Sequence, residues 1–203
     1  ADCVECRVDC FEGAKDLSAI ARCVAKLRVA LKDKLFLDTF RTKAEGGKVA
    51  LAHEEYLHFI RTVLATDCAD LIDIEFFTSG AELPALIEEA HTAGAAVVCS
   101  SHDFHKTPPR AELVSRMVAM QQAGADLPTL AVMPQSRTDV LELLAATAEM
   151  ADRHPETPII TMSMGALGAV SRLSGEAIGS AMTFANPGQA SAPGQVSLEG
   201  VNE

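Results

Sequence analysis

The sequence has 203 residues, of which 48% are hydrophobic and 22% charged, as in an ordinary globular protein with one sizeable core. Its formal net charge of −11 disfavours a nucleic-acid partner, because no basic patch is available to neutralise phosphates. No apolar run reaches the ~20 residues of a membrane span, and the first residues lack the basic start and apolar core of a signal peptide. We therefore expect a cytoplasmic protein that binds neither nucleic acid nor membranes.

Three of the six cysteines lie close together near the start of the chain. Cys3, Cys6 and Cys10 have the spacing C-x2-C-x3-C, which resembles a metal or cluster motif. No fourth cysteine or neighbouring histidine completes a known ligand spacing. In a strand, Cys3 and Cys6 would point to opposite faces, because their separation is odd. We expect free thiols in a reducing compartment and no metal site.

Predicted strands and helices alternate along nearly the whole chain. Seven short apolar or alternating runs are predicted as strands: residues 4–8, 35–40, 71–76, the run that begins at Val97, 130–133, 159–162 and 179–184. Apolar residues at helical spacing predict helices over residues 15–31, 51–65 and 165–174, and further helices with Leu83, Leu113 and Val140 on their inner faces. Regular alternation with short connections predicts a parallel sheet.

Such a sheet has two possible closures. It forms an eight-stranded (βα)8 barrel or an open doubly wound sheet. Seven strands and 203 residues fall short of the ~250 residues typical of a complete barrel. The residue pattern alone leaves both closures open, and it shows no linker or second domain.

Three helix starts carry recognisable capping residues. Thr107 followed by Pro108 is typical of an N-cap with proline at the first helical position. Residues 79–82 have the pattern of a capping box, and Ser136 precedes the helix that includes Val140.

Chemistry-bearing side chains collect where the predicted strands end, which in parallel α/β proteins is where ligands bind. They are Glu5, Arg7, Arg41, Glu45, His102, Met162, Met164, Arg172, Ser191 and Gln195. An imidazole exchanges protons near neutral pH, and arginine binds carboxylates bidentately. If these side chains line one pocket, the pocket is suited to bind a small anionic polyol. The alternative is that His102 and His105 bond the backbone of a tight loop and that the charged residues are solvated.

Several motifs, taken together and in order, resemble the type I 3-dehydroquinate dehydratases. The motifs are ExRVD at residues 5–9, FR at 40–41 with EGG at 45–47, SHDFHKTP at 101–108, MPQS at 133–136, ITMSM at 160–164, SRL at 171–173 and ASAPGQ at 190–195. The resemblance covers essentially all 203 residues. It implies a (βα)8 TIM barrel, here a single partial domain over residues 1–203 that lacks the first βα unit and the last helix.

The same resemblance implies an activity. The family dehydrates 3-dehydroquinate to 3-dehydroshikimate in the shikimate pathway of aromatic amino acid (chorismate) biosynthesis, with no metal or cofactor, as a cytoplasmic homodimer. It implies that His102 is the general acid/base and that Glu45 orients it. It further implies three substrate-binding or wall groups. Arg172, Ser191 and Gln195 would hold the substrate carboxylate; Glu5, Arg7 and Arg41 its ring hydroxyls; and Met162, Met164 and Phe184 would wall the pocket.

One departure from the family pattern falls on the reaction itself. The family forms a Schiff base through the lysine of an Asp-Ile/Leu-Pro-Lys motif, and here residues 126–129 end in Thr129. Threonine has no amine and cannot form an imine. Lys106, on the His102 loop, is a hypothetical substitute. A further departure is Asp38, a charge in a strand where the family is apolar, which needs a partner if it points inward.

Three interpretations remain at this point. The chain is a lyase with impaired turnover, a binding protein that keeps the pocket and has lost catalysis, or an ordinary enzyme carrying a single Lys-to-Thr change.

Overall fold

The structure is a computed structural model, and it describes residues 2–186, 188 and 194–197. The described residues form two compact units. The first holds the residues up to 100 together with Ala123–Asp126, and the second holds Ser101–Gln122 together with the described residues from 127 onward. A single domain stays a prediction. In the described part of the chain, no helix is long and apolar enough to cross a membrane.

The first unit alternates strands and helices. Its elements are β1 (Cys3–Arg7), α1 (Leu17–Leu31), β2 (Leu35–Thr39), α2 (His53–Leu64), β3 (Leu71–Glu75), α3 (Phe76–Ser79), α4 (Leu83–Thr92) and the start of β4 (Ala96–Asp103). Each strand pairs in parallel with the next, as the βα alternation predicts. Helix α2 packs aromatic side chains onto the sheet, where the rings of Phe40 and Phe59 lie 5.0 Å apart.

The second unit continues the alternation. Its elements are the end of β4, α5 (Arg110–Gln122), β5 (Leu127–Val132), α6 (Arg137–Arg153), β6 (Ile160–Ser163), α7 (Ala169–Leu173), α8 (Gly175–Ile178), β7 (Ala185–Asn186) and β8 (Val196–Ser197). Strands β5 and β6 pair in parallel, and so do the short strands β7 and β8. The α/β class with parallel strands is confirmed.

The strand predicted over residues 179–184 is wrong. Gly179 has φ 106°, a left-handed conformation that ends α8 and interrupts any extended run. Only Ser180 of this stretch pairs, through an isolated bridge to Ile159. The Ser180 hydroxyl accepts the Thr161 N–H at 3.1 Å, so a side chain replaces the next ladder bond. Strand structure starts later, at Ala185.

Of the three predicted helix starts, only one is confirmed. Ser136 caps α6, with its hydroxyl accepting the Asp139 N–H at 3.2 Å. Ser79 instead donates to the Glu75 carbonyl at 2.8 Å and ends α3, so it caps nothing. Helix α5 begins at Arg110, where the Pro109 carbonyl accepts the first helical bonds, and Thr107 is not its N-cap.

Replacing Ser136 with alanine tests the confirmed cap. The Ser136→Ala variant loses the acceptor of one exposed helical N–H, so we expect the free energy of unfolding to fall by about 1 kcal/mol. Chemical denaturation followed by circular dichroism measures the difference. The matched control is Ser174→Ala, a residue whose hydroxyl bonds the Val170 carbonyl and caps no helix through its side chain. An equal loss in both variants would contradict the capping role.

Cys3, Cys6 and Cys10, near the start of the chain, form no disulfide bond. All six cysteines are free thiols, and no cluster of three or more metal-ligating side chains occurs within the described residues. Burial is the largest cause that raises the thiol pKa of Cys3, and it raises that of Cys6 to about 12. Because metal ligation needs thiolates, the raised pKa values disfavour ligation by Cys3 and Cys6. The expectation of no metal site stays a prediction.

Candidate active site

In the first unit, two of the predicted site residues, Glu5 and Arg7, lie on β1, and two, Arg41 and Glu45, lie in the loop after β2. Arg41 has the most contacts with other polar side chains. Arg41 is 5% exposed, and its Nη1 donates to Glu75 Oε1 at 3.0 Å and to Ser100 Oγ at 2.8 Å. Its Nη2 donates to Asp73 Oδ2 at 2.8 Å, and Glu45 Oε2 lies 3.7 Å from Nη1. Burial lowers the pKa of Arg41, but the charges of Asp73 and Glu75 outweigh it, so the guanidinium stays charged.

The loop after β2 is shaped to hold Arg41 in this place. Gly47 lies so close to the Arg41 backbone that a Cβ at position 47 would sit 1.8 Å from the Arg41 carbonyl oxygen. The Gly47 N–H donates to the Thr42 carbonyl at 2.8 Å and closes the loop around residues 43–45. The second glycine of the EGG motif, Gly47, therefore has a steric role at this turn.

Glu5 and Arg7 share one face of β1, as the spacing of two predicts. Arg7 forms a bidentate pair with Asp9, at 2.8 and 2.9 Å. Asp9 also accepts the backbone N–H groups of Arg41 and Lys48. Burial is the largest cause that raises the pKa of Glu5, and it prevails over the nearby charges of Arg7 and Arg41. Glu5 therefore exchanges a proton at higher pH than an ordinary glutamate.

Asp73, Glu75 and Ser100 complete this buried group, and the sequence interpretation missed them. Asp73 and Glu75 belong to β3, a run that reads as an interior strand because its neighbours are apolar. The sequence signal that could have identified them is the alternation of side chains between the two faces of a strand. Asp73 and Glu75 are two residues apart, and Ser100 pairs with Glu75 across the ladder, so the three share one face of the sheet.

Asp38 lies on β2 in register with Cys6 and Ile72. It is completely buried, and neither carboxyl oxygen has a hydrogen-bond partner within the described residues. Burial, followed by the charges of Asp73 and Glu5, raises the pKa of Asp38 from 3.8 to about 8. The partner that an inward Asp38 needs is not found in the described part of the chain.

In the second unit, His102 is the second-to-last residue of β4, which extends beyond the apolar run after which the sequence placed this histidine. Its ring is partly buried and stacks at 6.4 Å against Phe104. Asp103 Oδ1 accepts the N–H groups of His105 and Lys106, at 2.8 and 3.0 Å, and so forms the turn that follows His102. Gln135 Nε2 donates to the His105 carbonyl at 3.0 Å and ties this turn to the loop after β5. Lys106 is exposed.

Thr129 lies on β5, 2% exposed, and its hydroxyl donates to the Leu127 carbonyl at 3.1 Å. The register pairs Thr129 with Ile160 and Ala131 with Met162, so these four residues share one face. That face belongs to an apolar cluster, whose further members are Met164, Phe104, Leu127, Met133, Met182 and Phe184. The predicted wall residues Met162, Met164 and Phe184 are therefore brought together on the face of Thr129.

Arg172 lies on α7 and is 3% exposed. Ser171 ties this helix to β6, because its Oγ accepts the Ser163 N–H at 2.9 Å and donates to the Gly168 carbonyl at 2.7 Å. A Cβ at Gly168 would sit 2.0 Å from the Ser163 carbonyl oxygen, so only glycine permits this approach. Nε and Nη2 of Arg172 have no hydrogen-bond partner among the described residues. Burial lowers the pKa of Arg172.

Two further predicted residues lie near the end of the chain. Ser191 is outside the described residues. Gln195 is partly buried. Its backbone carbonyl oxygen accepts a hydrogen bond from Asn186 Nδ2 at 3.5 Å, next to the β7–β8 pair.

Polar and titratable side chains on or just after parallel strands are typical of α/β enzymes that act on small molecules. The comparisons with known proteins identify the family. A model of the type I 3-dehydroquinase family matches residues 1–203.

Curated relatives and solved structures agree with this match. The chain is 47% identical over 203 residues to a 3-dehydroquinate dehydratase of Klebsiella pneumoniae, covering all of this chain and 81% of the relative. It is 49% identical over 195 residues to that of Bacillus subtilis, covering 96% and 76%. A solved type I 3-dehydroquinate dehydratase of Clostridium difficile, with covalently modified comenic acid, superposes with a TM-score of 0.95 at 42% identity, covering 99% and 79%. The chain belongs to the type I 3-dehydroquinate dehydratase family of hydro-lyases.

Proposed function

We propose that this chain binds 3-dehydroquinate through Arg172 and dehydrates it to 3-dehydroshikimate in the shikimate pathway, with turnover limited by Thr129. The observation that carries the proposal is the Arg172 guanidinium, buried without a counter-charge in the described part of the chain. A buried, unpaired cation destabilises a fold by several kcal/mol. A substrate carboxylate supplies the missing partner, and the guanidinium fork matches it with two parallel hydrogen bonds.

The acid/base role falls to His102. In the reaction, a base removes a proton from the carbon beside the ketone, and an acid protonates the departing hydroxyl, which leaves as water. One imidazole does both if it passes on the proton that it has taken. The resemblance assigns Glu45 the role of orienting this imidazole, and carboxylates fix histidine tautomers in this way. Partial burial at a strand end agrees with access to a substrate.

The remaining polar residues would bind the rest of the substrate. Glu5 accepts hydrogen bonds from ring hydroxyls, and Arg7 and Arg41 donate to them. Ser191 and Gln195 would join Arg172 at the carboxylate. Met162, Met164 and Phe184 would provide the apolar wall, supported by their membership of one buried cluster. Neither a metal nor a cofactor is needed for this chemistry.

The second candidate function is that of a binding protein without turnover. Thr129 favours it, because its hydroxyl is bonded to its own strand and it has no amine for an imine. Lys106 is exposed and lies on the loop after β4, not on the Thr129 face of β5. The enone absorbance of the product separates the two candidates. Slow growth of this absorbance supports the lyase, whereas 3-dehydroquinate binding without it supports the binding protein.

Replacing Arg172 with glutamine tests the proposed carboxylate site. We expect the affinity for 3-dehydroquinate to fall about 10- to 100-fold, the range that a charge-assisted hydrogen bond contributes. We expect the melting temperature to stay level or rise, because the variant removes an uncompensated buried charge. Isothermal titration calorimetry measures the first effect and calorimetric melting the second.

Arg153→Gln is the matched control, since Arg153 is 73% exposed and pairs with Glu149 on α6. We expect this control to bind 3-dehydroquinate like the parent chain. Unchanged affinity in Arg172→Gln would contradict the proposed site.

The (βα)8 barrel, a cytoplasmic location and a homodimer are part of the proposal. The TM-score of 0.95 to a type I relative supports the barrel.

A further inference from the structure

We propose that Asp73, Glu75 and Ser100 are positioning residues that hold the Arg41 guanidinium in the orientation needed for substrate. The proposal rests on the proposed function, in which Arg41 donates to a substrate hydroxyl. It assigns no chemical step to the three residues, which act through Arg41.

The geometry around Arg41 is a three-sided frame. Glu75 and Ser100 accept hydrogen bonds from the two N–H groups of Nη1, and Asp73 accepts one from Nη2. Ser100 has a single hydroxyl proton, which it donates to Asp73 Oδ1 at 2.8 Å while its oxygen accepts from Arg41. The hydroxyl therefore links Asp73 to the guanidinium a second time. The planar fork cannot rotate without breaking at least two of these bonds.

The frame is itself held in place from behind. Glu75 also accepts the N–H and the hydroxyl of Thr42 at 2.8 and 2.7 Å, and the hydroxyl of Thr78. Its backbone N–H donates to the buried Tyr56 hydroxyl at 2.8 Å. Glu75 thus accepts four hydrogen bonds in a buried place, and its side chain has a single orientation.

The frame leaves Arg41 with donors to spare. A guanidinium has five N–H groups, and the frame takes three of them. The Nε–H and the second Nη2–H of Arg41 take no part in these three bonds. A guanidinium that is fixed on one side and has two donors left on the other is suited to a ligand hydroxyl, because no ordering cost remains at binding.

A purely structural role for the same residues predicts a different result. Buried ion pairs also hold folds together, and removing one partner then lowers stability whatever the ligand does. The quantity that distinguishes the two roles is the coupling free energy for substrate binding between the frame residues and Arg41. If the frame acts through Arg41, its removal weakens binding only while Arg41 is present.

The experiment measures the dissociation constant for 3-dehydroquinate by calorimetry in the full chain. The variants are Asp73→Asn, Glu75→Gln, Ser100→Ala and Ser100→Thr, with Asp73→Asn also made in an Arg41→Lys background. We expect Asp73→Asn to weaken binding about tenfold in the parent and less than about twofold in Arg41→Lys. Ser100→Ala weakens binding by about threefold, and Ser100→Thr, which keeps the hydroxyl, restores it.

Glu89→Gln is the control, because Glu89 forms a bidentate pair with Arg61 on exposed helical surface, and we expect it to bind like the parent. If Asp73→Asn does not fold, the two Ser100 variants decide the test. Equal affinity of the parent and the frame variants, or equal losses in both Arg41 backgrounds, overturns this inference and leaves the proposed function intact. A parent chain that does not bind 3-dehydroquinate overturns the proposed function and this inference with it.

Discussion

The Asp38→Asn variant is expected to be more stable than the parent by roughly 3 to 5 kcal/mol at pH 8.5 and nearly equal to it at pH 4. Asp38 is fully buried, and its two carboxyl oxygens have no hydrogen-bond partner among the described residues. The groups that act on it electrostatically, Asp73 and Glu5, are also acids. Ionisation of Asp38 in the folded chain therefore has no compensating charge.

The direction in which stability changes with pH follows from the pKa values of Asp38 in the folded and the unfolded chain. The pKa of Asp38 is 3.8 in an unfolded chain and about 8 in the folded one. Between these values the folded chain binds more protons than the unfolded chain, so stability falls as the pH rises. Each pKa unit corresponds to about 1.4 kcal/mol. The contribution of Asp38 is fully present below pH 4 and is lost as the pH rises through 8. Asparagine has no proton to lose, so the Asp38→Asn variant lacks this dependence of stability on pH.

Denaturant unfolding of parent and variant at several pH values between 4 and 9 measures the effect as a difference, which cancels the titration of other groups. Asp38→Val adds a gain of about 1 to 3 kcal/mol at every pH, because it removes an unsatisfied buried polar group. Asp152→Asn, on the exposed surface of α6, is the control. A pH-independent difference between Asp38→Asn and the parent would show that Asp38 does not carry a raised pKa. Nothing in the structure explains why an aspartate occupies this position.

Hydrophobic periodicity was sufficient to predict the order of strands and helices through β6, because buried strands and amphipathic helices have different repeats. It failed at residues 179–184, where apolar residues occur without a ladder. There Gly179 turns the chain and the Ser180 hydroxyl takes a backbone N–H that a strand would have bonded. The misread helix starts have a similar cause. Ser79 and Thr107 are typical capping residues, but capping depends on where the helix begins, which neighbouring turns decide.

The candidate site was predictable where residues follow strands and was missed where they lie inside one. Arg41 and Glu45 come after β2, and polar residues that follow a parallel strand are candidates for ligand binding. Asp73 and Glu75 occur within an apolar run, so their carboxylates looked like exceptions rather than partners of Arg41. The pairing of Ser100 with Glu75 depends on the register between two strands, which a single sequence does not specify.

The Thr129→Lys variant is expected to dehydrate 3-dehydroquinate about two to four orders of magnitude faster than the parent, the scale on which single catalytic groups contribute. Thr129 shares its face of β5 and β6 with Ala131, Ile160 and Met162. A lysine there would extend along an apolar cluster of thioethers and aromatic rings. Such surroundings disfavour the ammonium form and lower the lysine pKa, so a neutral amine becomes available to attack the ketone.

The chemistry gives this prediction a second readout. Attack of the amine on the ketone releases water and leaves an iminium, into which the electrons of the adjacent C–H bond move when the base removes the proton. Borohydride reduces the iminium to a stable secondary amine, so the variant gains a covalent adduct at residue 129 that mass spectrometry locates. We expect no adduct on any lysine of the parent, Lys106 included.

Thr129→Met is the matched control, because methionine approaches lysine in length, fits an apolar cluster and has no amine. It should bind 3-dehydroquinate without a rise in rate and without an adduct. If Thr129→Lys folds, binds and still forms no adduct, Thr129 is not the sole obstacle, and changes elsewhere in the chain have also removed catalysis. If the parent already turns over as fast as Thr129→Lys, the imine is not required in this chain. Rate and adduct measured together therefore separate a chain that lost one group from a chain that has become a binding protein.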